Sequence, residues 1–371
     1  MRVFHATFAG HLDRYIGRLF VASYATALLL VVGLAVIFDL TAHLSYFERW
    51  DDGTEPGAWA VAHYYLLNTP FVFLQVAPYV TLTAGLFTVS RLLKHSEFTA
   101  SLAAGVSAHR TLFPVLGGAV LAAAGMFALR EYATANLGER RDALRDYLEN
   151  QRFEPVFEDF WVRDQAGNHV RIEEFRPHSA EFGTAEIRGL RVVMKAGGAW
   201  TRITADRALW QQQGGRWGWL LVHGEREIVE REASRHGVQW LDDISLPPED
   251  ISLWIKGRQH ALELSFSEVN ALLARDPDNA AYQTLLQYHL TFPLANVVLL
   301  LVALPFLLGR ERGKAIEGVM LGLLCCVFYF CAEFLARELG IEGVLSPLLA
   351  SWLPILLFGS LGLALYDSMR T

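Results

Sequence analysis

Leu-Phe-Val-Ala-Ser-Tyr-Ala-Thr-Ala-Leu-Leu-Leu-Val-Val-Gly-Leu-Ala-Val-Ile-Phe, residues 19–38, runs without a single charge. A helix of about 20 apolar residues crosses the hydrocarbon core of a bilayer. Five further runs of this kind follow. They cover residues 60–90, broken by Pro70 and Pro78, and 112–129. Past a long polar stretch come 285–308, with Pro293 and Pro305, then 315–335 and 344–366. Prolines are tolerable there, because neighbouring helices re-satisfy the freed backbone groups. In the first run Ala25-Thr26-Ala27 sits mid-segment rather than at its end. The run therefore reads as an uncleaved helix and not as a signal peptide.

Composition agrees. The chain has 371 residues, 53% hydrophobic and 19% charged, where soluble domains average about 25% charged. Apolar residues crowd both ends and thin out in the middle, which places a water-soluble insert between two groups of spans. A net charge of −7 excludes nucleic acid as a partner, since phosphate backbones need a basic face. Cys325, Cys326 and Cys331 share one apolar run, so neither a disulfide framework nor a thiolate zinc site is expected in the insert.

Orientation follows from the short loops. Arg2, Arg14 and Arg18 precede the first span. Arg91, Lys94 and Arg110 follow the second, Arg310, Arg312 and Lys314 follow the fourth, and Arg370 ends the chain. The alternate loops hold Arg49 and Arg337 beside Glu48, Asp51, Asp52, Glu55, Glu338 and Glu342. The positive-inside rule puts both termini in the cytoplasm and the insert outside, in the periplasm of a Gram-negative cell.

The expected fold is an α-helical membrane bundle of six transmembrane helices with an inserted periplasmic β-jelly-roll domain. Residues 1–135 carry helices 1–3 and a short cytoplasmic helix at 96–105, residues 136–281 the insert, and residues 282–371 helices 4–6. In the insert, residues 136–151 read as helix. After Pro155 come three hairpins, turning at 165–168, 197–198 and 214–215. Residues 265–275 read as a return helix with Ser267 as N-cap. Phe160, Trp161, Trp200, Trp210, Trp217, Trp219 and Trp240 either line a groove or fill the core.

No catalytic constellation emerges. Residues 309–315, Gly-Arg-Glu-Arg-Gly-Lys-Ala, lack one spacer residue and the hydroxyl of a phosphate-binding loop. There is no His-Glu-x-x-His and no Gly-x-Ser-x-Gly. His63, His95, His109 and His289 lie near helix ends, as interfacial residues would. No metal and no cofactor are expected. Four charges fall within or beside the spans: Asp39, Arg130, Glu131 and Glu333. The first three sit where a helix end can reach the interface, and Glu333 can pair with Arg337 at helix spacing.

One cytoplasmic segment is more specific: Ser96-Glu97-Phe98-Thr99-Ala100-Ser101-Leu102-Ala103-Ala104-Gly105-Val106-Ser107. Ser96 suits an N-cap, Glu97 a first turn and Gly105 a stop. Phe98 and Leu102 share a face. That face either fills a partner's groove or packs on its own bundle.

This segment resembles the Ser-Glu-Leu-Thr-x-x-x-Ala-x-Gly-x-Ser stretch of the LptF/LptG permeases of lipopolysaccharide export. Leu12-Asp13-Arg14-Tyr15-Ile16-Gly17 resembles the start of the LptG branch. Phe292-Pro293-Leu294-Ala295, Ala303-Leu304-Pro305-Phe306 and Leu349-Ala350-Ser351-Trp352-Leu353-Pro354 are similar to further family segments. Helix count, orientation and insert position agree along the chain. The resemblance implies a non-catalytic subunit of an ABC-type exporter, paired as an LptF–LptG heterodimer and driven by the separate ATPase LptB. It would pass lipopolysaccharide or a related glycolipid from the inner membrane to LptC and LptA. It also implies that 96–105 is the coupling helix, with Ser96, Glu97, Phe98, Leu102 and Gly105 at the ATPase and Glu97 facing a basic residue there. Arg140, Arg141 and Arg145 would lie near the cavity mouth, suited to lipid phosphates. Where the LptG branch can carry a lysine late in its first helix, this chain has Asp39. The phosphates are then met elsewhere, or the substrate is a modified glycolipid.

Two other classes compete. A membrane sensor or scaffold with a ligand-binding periplasmic domain would need a cytoplasmic signalling domain, and the cytoplasmic loops are too short for one. A membrane transferase would need a carboxylate or histidine constellation, which is missing.

Overall fold

The computed structural model describes residues 10–47, 58–150, 156–164, 167–178, 183–196, 199–228, 235–241, 244–259, 261–308 and 315–369. Several sequence features lie outside these residues. They are the charges Arg2, Glu48, Arg49, Asp51, Asp52, Glu55, Arg310, Arg312, Lys314 and Arg370, the turn residues 165–166 and 197–198, and the loop 309–314.

Nine α-helices and eight strands form among the described residues: α1 (His11–Phe47), α2 (Ala58–Lys94), α3 (Glu97–Ala103), α4 (Ala108–Asn150), β1 (Phe157–Arg163), β2 (His169–Arg176), β3 (Glu186–Ala196), β4 (Ala199–Gln213), β5 (Arg216–Val222), β6 (Glu225–Ile228), β7 (Arg235–Gly237), β8 (Trp240–Leu241), α5 (Pro248–Gln259), α6 (Phe266–Arg275), α7 (Ala280–Leu308), α8 (Ala315–Ile341) and α9 (Pro347–Asp367). A 3₁₀ turn, Ala261–Glu263, joins α5 to α6. Six helices are long and apolar enough to cross a membrane: α1, α2, α4, α7, α8 and α9. The architecture is therefore a six-span helical bundle with an antiparallel β domain inserted between the third and fourth spans.

Within the bundle α2 and α7 are central. Val80, Leu82, Ala84, Val89, Ala295, Leu299, Leu300 and Ala303 are all buried. Thr81 donates to the Asn296 side-chain oxygen at 2.6 Å, and Asn296 donates to Pro293 O at 2.8 Å. Paired polar groups of this kind bind helices together inside apolar surroundings. Small residues bring other helices close. A Cβ on Gly318 of α8 would stand 2.7 Å from Phe306 O of α7, and one on Gly322 would stand 3.0 Å from the Ala303 Cβ. The outer faces of α1, α8 and α9 are broadly apolar and exposed, with Leu29, Phe38, Phe328, Leu335 and Leu356 among them. Such a surface suits lipid or another membrane helix rather than water.

The β domain is one continuous antiparallel sheet. Its strands follow in the order β1-β2-β3-β4-β5-β8, and β6 pairs with the first half of β4 and with β7. Inward residues of the strands, among them Phe160, Ile172, Ile187, Val192, Ile203 and Trp219, pack with Ile251 and Ile255 of α5. The inward alternation slips across three strands at once. Asp159 and Gly189 both have positive φ, and both lie opposite Glu173. A side chain at Gly189 would run into Glu173, and its φ of +65° is one that L side chains rarely adopt, so glycine is required here. The tryptophans divide between core and surface. Trp219 is fully buried and donates to Leu246 O at 2.9 Å, whereas Trp161, Trp200 and Trp217 are exposed.

Two expectations about helix ends need correction. The cap of α6 is Ser265, not Ser267. The Ser265 hydroxyl accepts from the Glu268 N–H at 3.1 Å, and Glu268 accepts from the Ser265 N–H at 2.8 Å. Ser96 precedes α3 with φ of 60° and makes no side-chain cap bond. Gly105 does stop α3. Its φ is +81°, its N–H donates to Leu102 O, and the Val106 N–H donates to Ser101 O. These two bonds form the Schellman pattern.

Candidate functional sites at the two ends of the bundle

The end bearing α3 is held by polar contacts between helices. Tyr15 Oη of α1 donates to both Glu97 oxygens, at 3.0 and 2.8 Å. Arg110 at the start of α4 grips Asp13 of α1 with two parallel bonds of 2.8 and 2.6 Å. Such a bidentate pair fixes direction as well as distance. At the far side His109 Nε2 lies 2.9 Å from Tyr366 O of α9.

Phe98 is buried in the bundle's own core, and Leu102 is half-buried against the same cluster. Of the two readings of that face, the structure selects the inward one, because two large apolar side chains gain more by leaving water. The outward face of α3 then presents Thr99, Ala100, Ala103, Ala104 and Gly105, with Ser96 exposed ahead of it and Glu97 at its edge.

The opposite end joins the bundle to the β domain. α4 runs on past Arg130 and Glu131 to Asn150 without a break, in keeping with the helical reading of the residues after 136. Three of its residues hold the segment after α5. Glu131 accepts the Phe266 and Ser267 N–H groups at 3.0 and 3.2 Å, a carboxylate at the N-terminus of α6. Thr134 donates to Glu263 O at 3.2 Å. Arg141 pairs with both Glu263 and Asp142, and its guanidinium lies 4.0 Å from the centre of the Phe71 ring. Burial works against the Arg141 charge, but the Asp142 and Glu263 carboxylates more than offset it and raise its pKa above the ordinary arginine value. His289, expected at an interface, is buried instead, with Nε2 2.7 Å from Leu264 O.

The three arginines expected to meet lipid, and Asp39 at the lysine position, are thus not equivalent. Arg140 is exposed. Arg145 is half-buried and already has a partner within the chain. Arg141 has its guanidinium committed to two carboxylates, Asp142 and Glu263. Asp39 accepts from Tyr65 Oη at 3.1 Å, and His43 Nδ1 lies 3.4 Å from its other oxygen, so it joins α1 to α2.

A cavity of about 280 Å³ lies between α2, α4, α7, α8 and the 3₁₀ turn. Arg130, Tyr288, Glu333 and Arg337 line it together with Phe71 and Phe292. Arg337 donates to Glu333 at 3.0 Å, as the four-residue spacing predicted. The gathering of these groups was not foreseen, because residues from four helices meet there and no local signal joins them. Among the described residues no group of three or more metal-ligating side chains occurs.

Searches of curated proteins return no match to the chain. The family described as "Lipopolysaccharide export system permease LptF/LptG" matches residues 14–368, nearly all of it. With six apolar helices and an antiparallel insert in the expected place, the chain belongs to the LptF/LptG family and is a multi-pass inner-membrane permease subunit of lipopolysaccharide export.

Proposed function

We propose that this chain is one half of a permease pair, on the LptG branch. In this reading it draws lipopolysaccharide or a related glycolipid from the inner membrane under the drive of the cytoplasmic ATPase LptB. Both termini lie in the cytoplasm and the β domain in the periplasm, where it hands the lipid to LptC and the LptA bridge. The exposed apolar faces of α1, α8 and α9 suit a paralogous partner and the lipid between the two. The opening residues Leu12 to Gly17 support the LptG assignment.

One observation carries the reading. α3 leads through Gly105 into α4, and α4 runs unbroken to Asn150, with its Glu131, Thr134 and Arg141 holding the segment after α5. A push received at α3 therefore has a rigid path to the insert. Because Phe98 points inward, the ATPase would meet the exposed face of α3 and the edge at Glu97. In this reading Ser96 and Gly105 shape the two ends of that face, and Arg140 and Arg145 attract the lipid's anionic groups.

The reading is tested in proteoliposomes holding both permeases, LptB, LptC and LptA. Glu97→Lys should leave the helical content and unfolding temperature of the complex unchanged while abolishing lipid-stimulated ATP hydrolysis and export. Tyr15→Phe, which removes only the internal bond, should retain both. Export at the normal rate by Glu97→Lys would sink the coupling role.

A further inference from the structure

The cavity between α2, α4, α7 and α8 has an unbalanced charge. Arg130 is only 9% exposed, and its Nη1 has no hydrogen-bond partner among the described residues. No ion pair involving it appears there either. Arg337 is equally buried. One of its nitrogens meets Glu333, while its Nε is buried without a hydrogen bond, 3.8 Å from Glu338. The ring of Tyr288 holds its guanidinium at 5.0 Å. Glu263, the other acid lining the cavity, is committed to Arg141. Two guanidiniums therefore line the cavity with one uncommitted acid, Glu333, while the half-exposed Glu338 stands 3.8 Å from Arg337 Nε and does not line it.

Arginine cannot shed its proton to escape such a site. A buried guanidinium without a counter-charge is costly, and natural proteins keep one where something else supplies the match. We infer that this cavity is an anion-binding site within the single chain, made for a phosphate group that Arg130 and Arg337 grip together beside Glu333. Guanidiniums recognise phosphate oxygens by paired hydrogen bonds. The remaining wall, with Phe71, Leu74, Phe292 and Phe330, is apolar. It suits a phosphate carried on an organic group, although inorganic phosphate would satisfy the same two arginines. The inference does not rest on the export reading, because the purified chain either binds the anion or does not, whatever an ATPase does.

The test uses the full chain purified in neutral detergent, titrated calorimetrically with inorganic phosphate and separately with dihexanoyl phosphatidic acid. Binding of inorganic phosphate would identify the free ion as a sufficient ligand. Binding of the phosphatidic acid alone would identify a lipid headgroup. In either case Arg130→Met should weaken binding about 10- to 100-fold, the loss of one bond to a charged group. The same substitution should raise the unfolding temperature without ligand, since it removes an unmatched buried charge. Glu333→Gln should tighten binding about threefold or more, because it frees Arg337 and removes a competing anion. This second variant keeps the test decisive should Arg130→Met fail to fold. The inference is overturned if neither ligand binds, if Arg130→Met binds as well as the unaltered chain, if its unfolding temperature falls, or if Glu333→Gln weakens binding.

Discussion

Arg141 shows how a residue's surroundings redirect its role. From sequence it is one of three arginines on a polar helical stretch. In the fold it is 3% exposed and ties α4 to the 3₁₀ turn through Glu263. Asp142, at 36% exposure, is more strongly screened by solvent and contributes less. Arg141→Met should therefore destabilise the protein by about 3 kcal/mol, because it strands Glu263 against the bundle. Thermal unfolding in detergent checks this. The pH dependence has a defined sign. A raised arginine pKa gives stability that is complete below the ordinary arginine value and lost only as pH rises through the raised one. The difference between variant and parent should therefore stay flat up to strongly alkaline pH, and a difference that fades near neutrality would contradict the assignment. Residue-level reading of the sequence succeeded where the partner is local. Glu333 and Arg337 stand one turn apart, and they pair. Gly105 stops α3 with the backbone conformation its residue type allows. It failed where the partner is distant. Nothing near Arg130 in sequence shows that it points into the bundle. Ser265 was legible in principle, since Ser-Phe-Ser-Glu holds the Ser-x-x-Glu capping signature starting two residues before Ser267.

At the scale of elements, hydropathy located every span, because bilayer thickness sets a minimum run of apolar residues. It misplaced the ends. The expected runs 19–38 and 112–129 are the apolar interiors of α1 and α4, which extend well beyond them. Polar turns can continue a helix outside the hydrocarbon, and nothing in those turns breaks it. Helix contacts were also hidden, because they depend on which faces meet. The approach of α8 to α7 is one of these. Gly322→Leu must push its side chain into Ala303, and overpacking of this kind costs about 1–3 kcal/mol. A Cβ on the exposed Gly125 of α4 would meet nothing within 4 Å, so Gly125→Ala should cost nothing in packing. Equal unfolding temperatures for the two variants would mean that α7 and α8 can separate freely. In the insert, the antiparallel pairs β1–β2, β3–β4 and β4–β5 were readable from alternation as three hairpins, whereas β6, β7 and β8 were not. The slip in alternation at Asp159, Glu173 and Gly189 was not readable either, since it involves three neighbouring strands at once.

At the scale of the whole molecule, α4 runs from the α3 end of the bundle past the junction with the β domain. Inserting two alanines between Asn136 and Leu137 would rotate everything beyond by about 200°, carrying Arg141 away from Glu263 while leaving Glu131 and α3 in place. ATPase binding should persist and export should fail. A seven-residue insertion restores the phase to within about 20° and should recover part of the export. Equal export by both insertions would show that α4 transmits nothing. At about 1.5 Å per residue, the 43 residues of α4 make a rod roughly 65 Å long, of which the hydrocarbon core takes about 30 Å. Arg110 and Asp13 pin the rod near its foot. It is thus geared like a crank with a short arm and a long one: a tilt of about 5° at the foot sweeps the tip through roughly 6 Å. A modest tilt at the α3 end becomes, near Leu148 where α4 packs on α1 and α2, a displacement wider than the spacing between two neighbouring strands.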